Sequence, residues 1–184
     1  MKKKQKHSDL MVIDNFLPED DFNKLIGIIN SDNFGWFKAD GISDTDSTMN
    51  TTLNYLDNYY FVHMVYVNYR ITSTYFDNIM EIVDDRLKKR LGGNYNMLHR
   101  IKVNMYPRTH EVQVHPWHQD SQEIPHLGGA LLMLNTCDGY TGFADGTEVD
   151  SVANRMVIFD STEKHFSTSC SNTQTRMTMN FNYL

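Results

Sequence analysis

The stretch TRMTMNFNYL, residues 175–184, alternates polar and apolar side chains from Arg176 to Tyr183. Side chains of a β-strand point to opposite faces in turn, so this alternation predicts a strand with one polar and one apolar face. The polar face carries Arg176, Thr178, Asn180 and Asn182. Such a face lies either in water or along an internal pocket, and this stretch alone does not decide between the two.

A second stretch, HRIKVNMY at residues 99–106, repeats the pattern. Its polar face carries Arg100, Lys102, Asn104 and Tyr106. If the polar faces of both strands point into one barrel, they build a pocket lined with guanidinium, ammonium and amide donors. Charge-assisted donors of this kind suit an anionic ligand.

The remaining chain places its helices before most of its strands. The stretch DLMVIDNFL predicts a short strand, and Pro18 suits the first turn of a helix that follows it. Ser73 is a candidate cap for a second helix, which Gly92 and Gly93 are expected to end. Short β-type runs come next: GALLMLN, GTEVDSV and NRMVIFD. This order indicates an α+β domain whose β part is a sandwich or small barrel.

Length and charge limit the architecture and the partners. The 184 residues show no internal repeat or linker, so we expect one domain, 1–184, with residues 1–8 as a disordered basic tail. The formal net charge of -6 argues against a nucleic-acid or anionic-membrane partner. No apolar run follows the basic start, which predicts a cytoplasmic protein without a membrane span, in a host cell if the gene is viral. Cys137 and Cys170 are expected to be reduced thiols, with a single bridge between them left open.

The stretch HPWHQD, which ends at Asp120, holds a candidate pair of metal ligands. On an extended chain His118 and Asp120 point the same way, and Pro116 favours an extended chain. Random order would give about 0.7 His-x-Asp triplets in this composition, so the pair needs support from elsewhere. His165, at the exit of an apolar strand, is the first candidate for a third ligand, and His126 is another. Two histidines and one carboxylate match the facial ligand set of non-haem Fe(II) oxygenases.

The order of five residues resembles that of the Fe(II)/2-oxoglutarate-dependent oxygenases, and more narrowly their prolyl 4-hydroxylase-like branch. The residues are His118, Asp120, His165, Arg176 and Thr178. The segments DNFLPEDDFNKL, LLMLNTCDGYTGF and NRMVIFDSTEKH also resemble segments of these proteins, and the chain is similar to compact members found in bacterial-virus (bacteriophage) genomes. The resemblance implies a double-stranded β-helix (jelly-roll) core with the N-terminal helices packed on one sheet.

Carried over residue by residue, the resemblance makes His118, Asp120 and His165 the Fe(II) ligands. The residues implied to bind 2-oxoglutarate are Arg176, Thr178, Tyr106 and Asn104, with Lys102 as a further candidate on the same strand face. Some relatives carry a threonine near the cofactor where this chain has Ala130 and Leu131, which implies more apolar surroundings. Oxygen is the implied co-substrate, and ascorbate is an implied stimulant.

The resemblance implies a dioxygenase that hydroxylates a peptidyl proline, or another C–H bond of a peptide, protein or small molecule, while converting 2-oxoglutarate to succinate. One alternative is a nucleic-acid demethylase of the same superfamily. Demethylases of that class typically have a second arginine six residues after the one that corresponds to Arg176. This chain has Asn182 at that position. The other alternative is a non-catalytic metal-binding jelly roll.

The polar stretch 38–58 has a glycine and no apolar period, which predicts a loop. We expect this loop to close over the substrate. The aromatic residues that flank it are expected to pack the helices on the sheet: Trp36, Tyr59 and Tyr60. His115, the first residue of HPWHQD, is expected to be a loop residue rather than a partner of a metal ligand.

Overall fold

A computed structural model of the chain describes residues 10–42, 55–121 and 123–184. The helices are α1, Glu19–Ile29, and α2, Phe76–Leu91, and short turns of 3-10 helix span Tyr55–Asp57 and Gly92–Asn94. The strands are β1 Met11–Ile13, β2 Phe37–Asp40, β3 Tyr59–Val67, β4 Arg70–Ile71, β5 Leu98–Pro107, β6 Gly128–Met133, β7 Tyr140–Phe143, β8 Glu148–Asp150, β9 Met156–Asp160, β10 His165–Ser167 and β11 Thr175–Tyr183. The predicted tail 1–8 and residues 43–54 of the predicted loop lie outside the described residues, so what was predicted for them stays a prediction.

Local chemistry sets the ends of both helices. The carbonyl of Pro18, just before α1, accepts a hydrogen bond of 2.9 Å from the Phe22 amide. The predicted cap of α2, Ser73, accepts instead from the Tyr75 amide at 3.1 Å, so it closes a turn just ahead of the helix. The residue after α2, Gly92, has a φ of 54°, a left-handed conformation that glycine adopts without strain. Neither described helix is long and apolar enough to cross a membrane.

Two antiparallel sheets form the β part of the described chain. The larger sheet runs in the order β1-β9-β6-β11-β5-β3-β2, with β4 paired to β3 as its eighth strand. The smaller sheet has the order β10-β7-β8. Strand β11 lies between β5 and β6 at the centre of the large sheet. This arrangement confirms the predicted α+β fold with a jelly-roll core.

One face of the large sheet forms the main apolar core of the described chain. The apolar residues of β5 and β11 provide Ile101, Val103, Met179 and Phe181, all without exposed surface. Helix residues belong to the same cluster: Leu25, Ile29, Ile79, Val83 and Leu87. Removing apolar surface from water stabilises a fold by roughly 25 cal/mol per Å², so this face supplies much of the driving force for folding.

The other face of the large sheet looks toward the small sheet across a polar pocket. Arg176 and Asn182 have no exposed surface there, and Thr178 is 2% exposed. The side chains that line the pocket include Lys102, Asn104, Tyr106, Thr141, His165, Arg176, Thr178 and Asn180. The interpretation with the polar face of β11 in water is therefore wrong, and the two polar faces do meet in one pocket.

The structure departs from the sequence predictions around β2 and β3. Residues Phe37–Asp40 form a strand, so the predicted polar loop begins later than residue 38. Strand β3 pairs with β5, although polar–apolar alternation does not predict it, because apolar and aromatic residues occupy both of its faces. Trp36 packs against the apolar core as expected. Tyr60, by contrast, stacks on Tyr106 at 5.6 Å on the pocket side of the sheet.

Candidate metal centre

Main-chain pairing brings His118, Asp120 and His165 together. His118 lies in an irregular segment between β5 and β6, and His165 is the first residue of β10. The two residues form a reciprocal pair, in which each amide donates to the carbonyl of the other at 2.9 Å. The Asp120 amide donates to the Ser161 carbonyl at 3.0 Å. The stretch WHQD is thus no continuous strand, but this pairing holds its two candidate ligands beside the third.

The side-chain atoms of these three residues are arranged as a metal site requires. One nitrogen of each imidazole and one carboxylate oxygen all lie within 4.8 Å of one another. His118 Nδ1 lies 3.3 Å from the Pro116 carbonyl, and His165 Nδ1 lies 2.9 Å from the Glu163 carbonyl. A carbonyl only accepts, so each Nδ1 carries the proton, and each Nε2 keeps its lone pair for a metal.

The protonation state of His118 also suits a metal ligand. Burial, together with the neighbouring His165, lowers the pKa of His118 to about 4. The imidazole is therefore neutral at pH 7, which is the form that binds a metal. Two imidazoles and a carboxylate are the donor set that fits Fe(II) with positions left open for other ligands.

Asp120 is held by three side-chain donors from the central strands. Arg100 Nη2 donates to its Oδ1 at 2.8 Å, and the Asn182 and Asn180 amides donate to its Oδ2 at 2.8 and 3.3 Å. Arg100 Nε also donates to Asn182 Oδ1 at 2.8 Å, which joins two of the donors. Burial opposes ionisation of Asp120, but Arg100, the two imidazoles and Asn182 outweigh it and hold the pKa of Asp120 below its ordinary value. The carboxylate is therefore charged and fixed in orientation.

Arg176 is buried in the same pocket without a carboxylate partner. Its guanidinium donates to Thr141 Oγ1 at 2.8 Å and to Ser151 Oγ and the Thr168 carbonyl at 3.1 Å, all neutral acceptors. Within residues 10–42, 55–121 and 123–184, no Asp or Glu forms an ion pair with it. Burial lowers the pKa of Arg176, but a guanidinium stays charged at neutral pH. A buried charge without a counter-ion is costly, so this site fits the carboxylate of a ligand.

The other residues predicted to bind 2-oxoglutarate lie around Arg176. Thr178, Tyr106 and Asn104 all line the pocket, and the Tyr106 ring lies 5.9 Å from the Arg176 guanidinium carbon. The Asn104 amide donates to Thr178 Oγ1 at 3.3 Å, while Asn104 Oδ1 has no hydrogen-bond partner in the structure. An unpaired buried oxygen is unfavourable, so the polar lining is incomplete without a ligand. The assignment of these residues to 2-oxoglutarate stays a prediction.

The surroundings of the pocket differ in one respect from those predicted. Leu131 lines it, but Ala130 points to the opposite face and belongs to the apolar core. A threonine hydroxyl is nevertheless present, because Thr141 on β7 lines the pocket and accepts from Arg176. The pocket is therefore less apolar than the residues of β6 alone imply.

His115 does not behave as the plain loop residue that was expected. It lies outside the strands but is only 1% exposed, and its Nδ1 lies 2.8 Å from Ser167 Oγ. Its ring packs against Tyr106 at 5.0 Å. The His115 amide donates to the Ser167 carbonyl at 3.0 Å, which ties the segment to β10 and buries the side chain. The other candidate third ligand, His126, is exposed and belongs to no metal-ligating group of the described residues.

Several pocket residues received no role from the sequence. Arg100, Asn180 and Asn182 stand on the predicted polar faces, but their convergence on Asp120 depends on the register of β5 and β11. Thr141 and Ser151 come from the opposite side of the pocket, and no spacing in the sequence links them to Arg176. Cys137 and Cys170 are buried and not joined to each other in the structure, and their redox state stays a prediction.

Comparisons with known proteins bear on the fold. No protein-family model matches the sequence, and no curated protein matches it. Among solved structures, an oxidoreductase of the 2OG-Fe(II) oxygenase family from Burkholderia pseudomallei aligns over 95% of this chain and 84% of its own, with a TM-score of 0.68 and 8% identity. The chain has the fold of the 2-oxoglutarate- and Fe(II)-dependent oxygenases.

Prolyl hydroxylases are among the structures with this fold. A Pseudomonas putida prolyl-4-hydroxylase aligns over 96% of this chain and 92% of its own, with a TM-score of 0.60 and 15% identity. Another is a prolyl hydroxylase from Trichoplax adhaerens in complex with a peptide fragment of the hypoxia inducible factor oxygen degradation domain. It aligns over 97% of this chain and 84% of its own, with a TM-score of 0.64 and 14% identity. The predicted likeness to this branch is therefore confirmed at the level of the fold.

Proposed function

We propose that this protein is an Fe(II)- and 2-oxoglutarate-dependent dioxygenase that hydroxylates a C–H bond of a peptide, protein or small molecule. One observation carries the proposal: His118, Asp120 and His165 line the same pocket as Arg176, a buried guanidinium without a counter-ion. A metal site and a site for a ligand carboxylate at one pocket are what this chemistry requires.

Each group has a distinct part in the proposed reaction. His118, Asp120 and His165 would hold Fe(II), and Arg176 and Thr178 would orient the distal carboxylate of 2-oxoglutarate, beside Tyr106. Bound together, iron and 2-oxoglutarate supply an oxidation that releases succinate and CO₂ and leaves one oxygen atom of O₂ in the substrate. Leu131 and Phe159 line the same pocket and restrict the access of water.

The type of substrate is supported less directly. The peptide bound by the Trichoplax adhaerens protein makes a peptidyl proline the first substrate to test. In the sequence, the asparagine at position 182 in place of an arginine argues against a nucleic-acid demethylase. The structure weakens this argument. Arg100 lies opposite Asn182 in the sheet and brings a guanidinium to this part of the pocket. The net charge of -6 remains the stronger argument against a nucleic-acid substrate.

The test measures succinate formed from 2-oxoglutarate by purified protein with Fe(II), oxygen and ascorbate, and a mass gain of one oxygen in a panel of prolyl peptides and small molecules. We expect succinate from the wild type and none from His165→Ala, which removes one metal ligand. His110→Ala, at an exposed histidine, is the matched control and should keep both activities.

Two results would contradict the proposal. Metal binding without any binding or turnover of 2-oxoglutarate would leave a non-catalytic metal-binding jelly roll. Stoichiometric Fe(II) binding by His165→Ala would assign the third ligand to another residue.

A further inference from the structure

Lys102, which the resemblance makes a further candidate for 2-oxoglutarate, has no part in the proposed roles. It stands on the pocket face of β5, directly opposite Asn180 of β11. Asn180 donates to Asp120 Oδ2 at 3.3 Å, so Lys102 stands on the side of the pocket that carries the metal ligands. The side chain is only partly exposed, and its Nζ lies 5.6 Å from the centre of the Tyr60 ring.

No residue that the structure describes neutralises Lys102. Over the described ranges its Nζ forms neither a hydrogen bond nor an ion pair, and the carboxylate of Asp120 pairs with Arg100 instead. The contact with the Tyr60 ring offsets only part of the cost of taking an ammonium out of water. Among residues 10–42, 55–121 and 123–184, the pocket therefore holds a cation that no carboxylate pairs with.

The cofactors of the proposed function leave this charge in place. Of the charged residues that the structure describes, Lys102 and Arg176 line the pocket as cations, Asp120 lines it as an anion, and Arg100 adjoins it as the partner of Asp120. Fe(II) carries two positive charges and 2-oxoglutarate two negative ones, so binding both does not change the balance. Counted over the described residues, the loaded pocket keeps an excess of positive charge, and a further anion would correct it.

Lys102 and Arg176 stand at different positions along the sheet. Arg176 lies opposite Tyr106, whereas Lys102 stands four residues earlier on the same strand. Four residues of a strand span about 14 Å, so the main-chain positions of Lys102 and Arg176 lie well apart along the sheet. The Lys102 side chain itself reaches the Tyr60 ring, which stacks on Tyr106. Asn180, directly opposite Lys102, donates to Asp120 Oδ2 at 3.3 Å, so this part of β5 lies beside the metal cluster, where a substrate must place its reacting carbon.

We propose that Lys102 binds a carboxylate of the primary substrate and so selects an acidic molecule, or a peptide with an acidic side chain, as the compound to be oxidised. This inference rests on the proposed function, because it assigns the substrate class for that same site. It does not follow from the overall charge of the protein, which is acidic and repels anions from most of its surface.

The experiment measures binding to protein loaded with Mn(II) and 2-oxoglutarate, by isothermal titration calorimetry. The probes are matched pairs that differ only in a carboxylate or a carboxamide: N-acetylaspartate and N-acetylasparagine, N-acetylglutamate and N-acetylglutamine, and prolyl dipeptides with Asp or Asn. We expect the wild type to prefer the carboxylate of at least one pair by about tenfold or more. Lys102→Met should lose this preference, and Lys102→Arg should keep it.

Two controls separate the possible results. The exposed lysine variant Lys88→Met should bind every probe as the wild type does. Lys102→Met should bind 2-oxoglutarate itself within about twofold of the wild type, whereas Arg176→Met should not. Thermal unfolding of each variant checks that it folds.

Three results would overturn the inference while leaving the proposed function intact. They are a wild type without a carboxylate preference in any pair, a preference that survives in Lys102→Met, and a loss of 2-oxoglutarate binding in Lys102→Met. The last of these would place Lys102 in the cofactor site. If the wild type binds neither Mn(II) nor 2-oxoglutarate, the proposed function fails first and the inference fails with it.

Discussion

The two faces of the large sheet are built by the same strands but carry different side chains: one face is apolar and the other is polar. Along β11, Met179 and Phe181 pack into the apolar core, while their direct neighbours Thr178 and Asn180 line the polar pocket. On the core side the packed groups are mainly apolar side chains, which need no polar partner. On the pocket side Arg176 and Lys102 lack counter-ions among the described residues, and Asn180 Oδ1 lacks a hydrogen-bond donor. Among the described residues, the pocket face therefore holds charges without counter-ions, which an anionic ligand would neutralise.

This difference teaches which residues serve stability and which serve binding. A buried apolar side chain lowers the free energy of the folded chain whether or not a ligand is present. An unpaired buried charge raises it until a ligand arrives, so such a charge persists only where a ligand binds. Substitutions on the core face should therefore change stability, and substitutions on the pocket face should change binding.

The largest effect is expected on the core face. Phe181→Ala should lower the free energy of unfolding by about 3–5 kcal/mol, because it removes a fully buried ring and leaves a cavity. Met177→Ala, at a half-buried position on the same face, is the control and should cost clearly less. Urea unfolding measures both. Equal losses for the two variants would contradict the assignment of the core to this face.

The next effect is expected at the anion site. Arg176→Met should weaken 2-oxoglutarate binding by about 100-fold, because a charge-assisted pair is lost, and should leave Mn(II) affinity unchanged. Arg176→Lys, which keeps the charge but not the paired N–H groups, should fall between the variant and the wild type. Calorimetry with each ligand tests this. An unchanged affinity for 2-oxoglutarate would remove Arg176 from the cofactor site.

The smallest of the three effects is expected for Arg100, which does not itself bind the metal but donates to the candidate ligand Asp120. Arg100→Met removes a donor that holds Asp120 in place, so Mn(II) affinity should fall by roughly 10–100-fold. Arg90→Met, at the exposed end of α2, should leave it unchanged. Metal titration of both variants provides the measurement. Identical affinities would mean that Asn180 and Asn182 suffice to orient the carboxylate.

Much of this arrangement follows from local patterns in the sequence. Alternation along β5 and β11 sorts their side chains correctly between the two faces, because strand geometry is independent of the rest of the fold. The order of His118, Asp120, His165 and Arg176 predicts which residues meet at the pocket. Neither pattern decides whether the polar faces lie in water or inside, since that depends on the small sheet, which covers one face.

What the sequence did not predict depends on contacts between distant parts of the chain. Arg100 reaches Asp120 only because the register of β5 and β11 sets it opposite Asn182. His115 is buried because its main chain pairs with Ser167 of β10. The sequence does not predict strand β3, because both of its faces are largely apolar or aromatic and polar residues do not alternate with apolar ones.

The reciprocal main-chain pair between His118 and His165 has a thermodynamic consequence. It joins two segments that are far apart in sequence, and the same two residues offer their imidazoles to one ion. A bound ion would therefore act as a cross-link that exists only when these segments are docked. Because it would bind the folded chain in preference to the unfolded one, rising metal concentration should raise the melting temperature. It should also slow amide hydrogen exchange on both sides of this junction first.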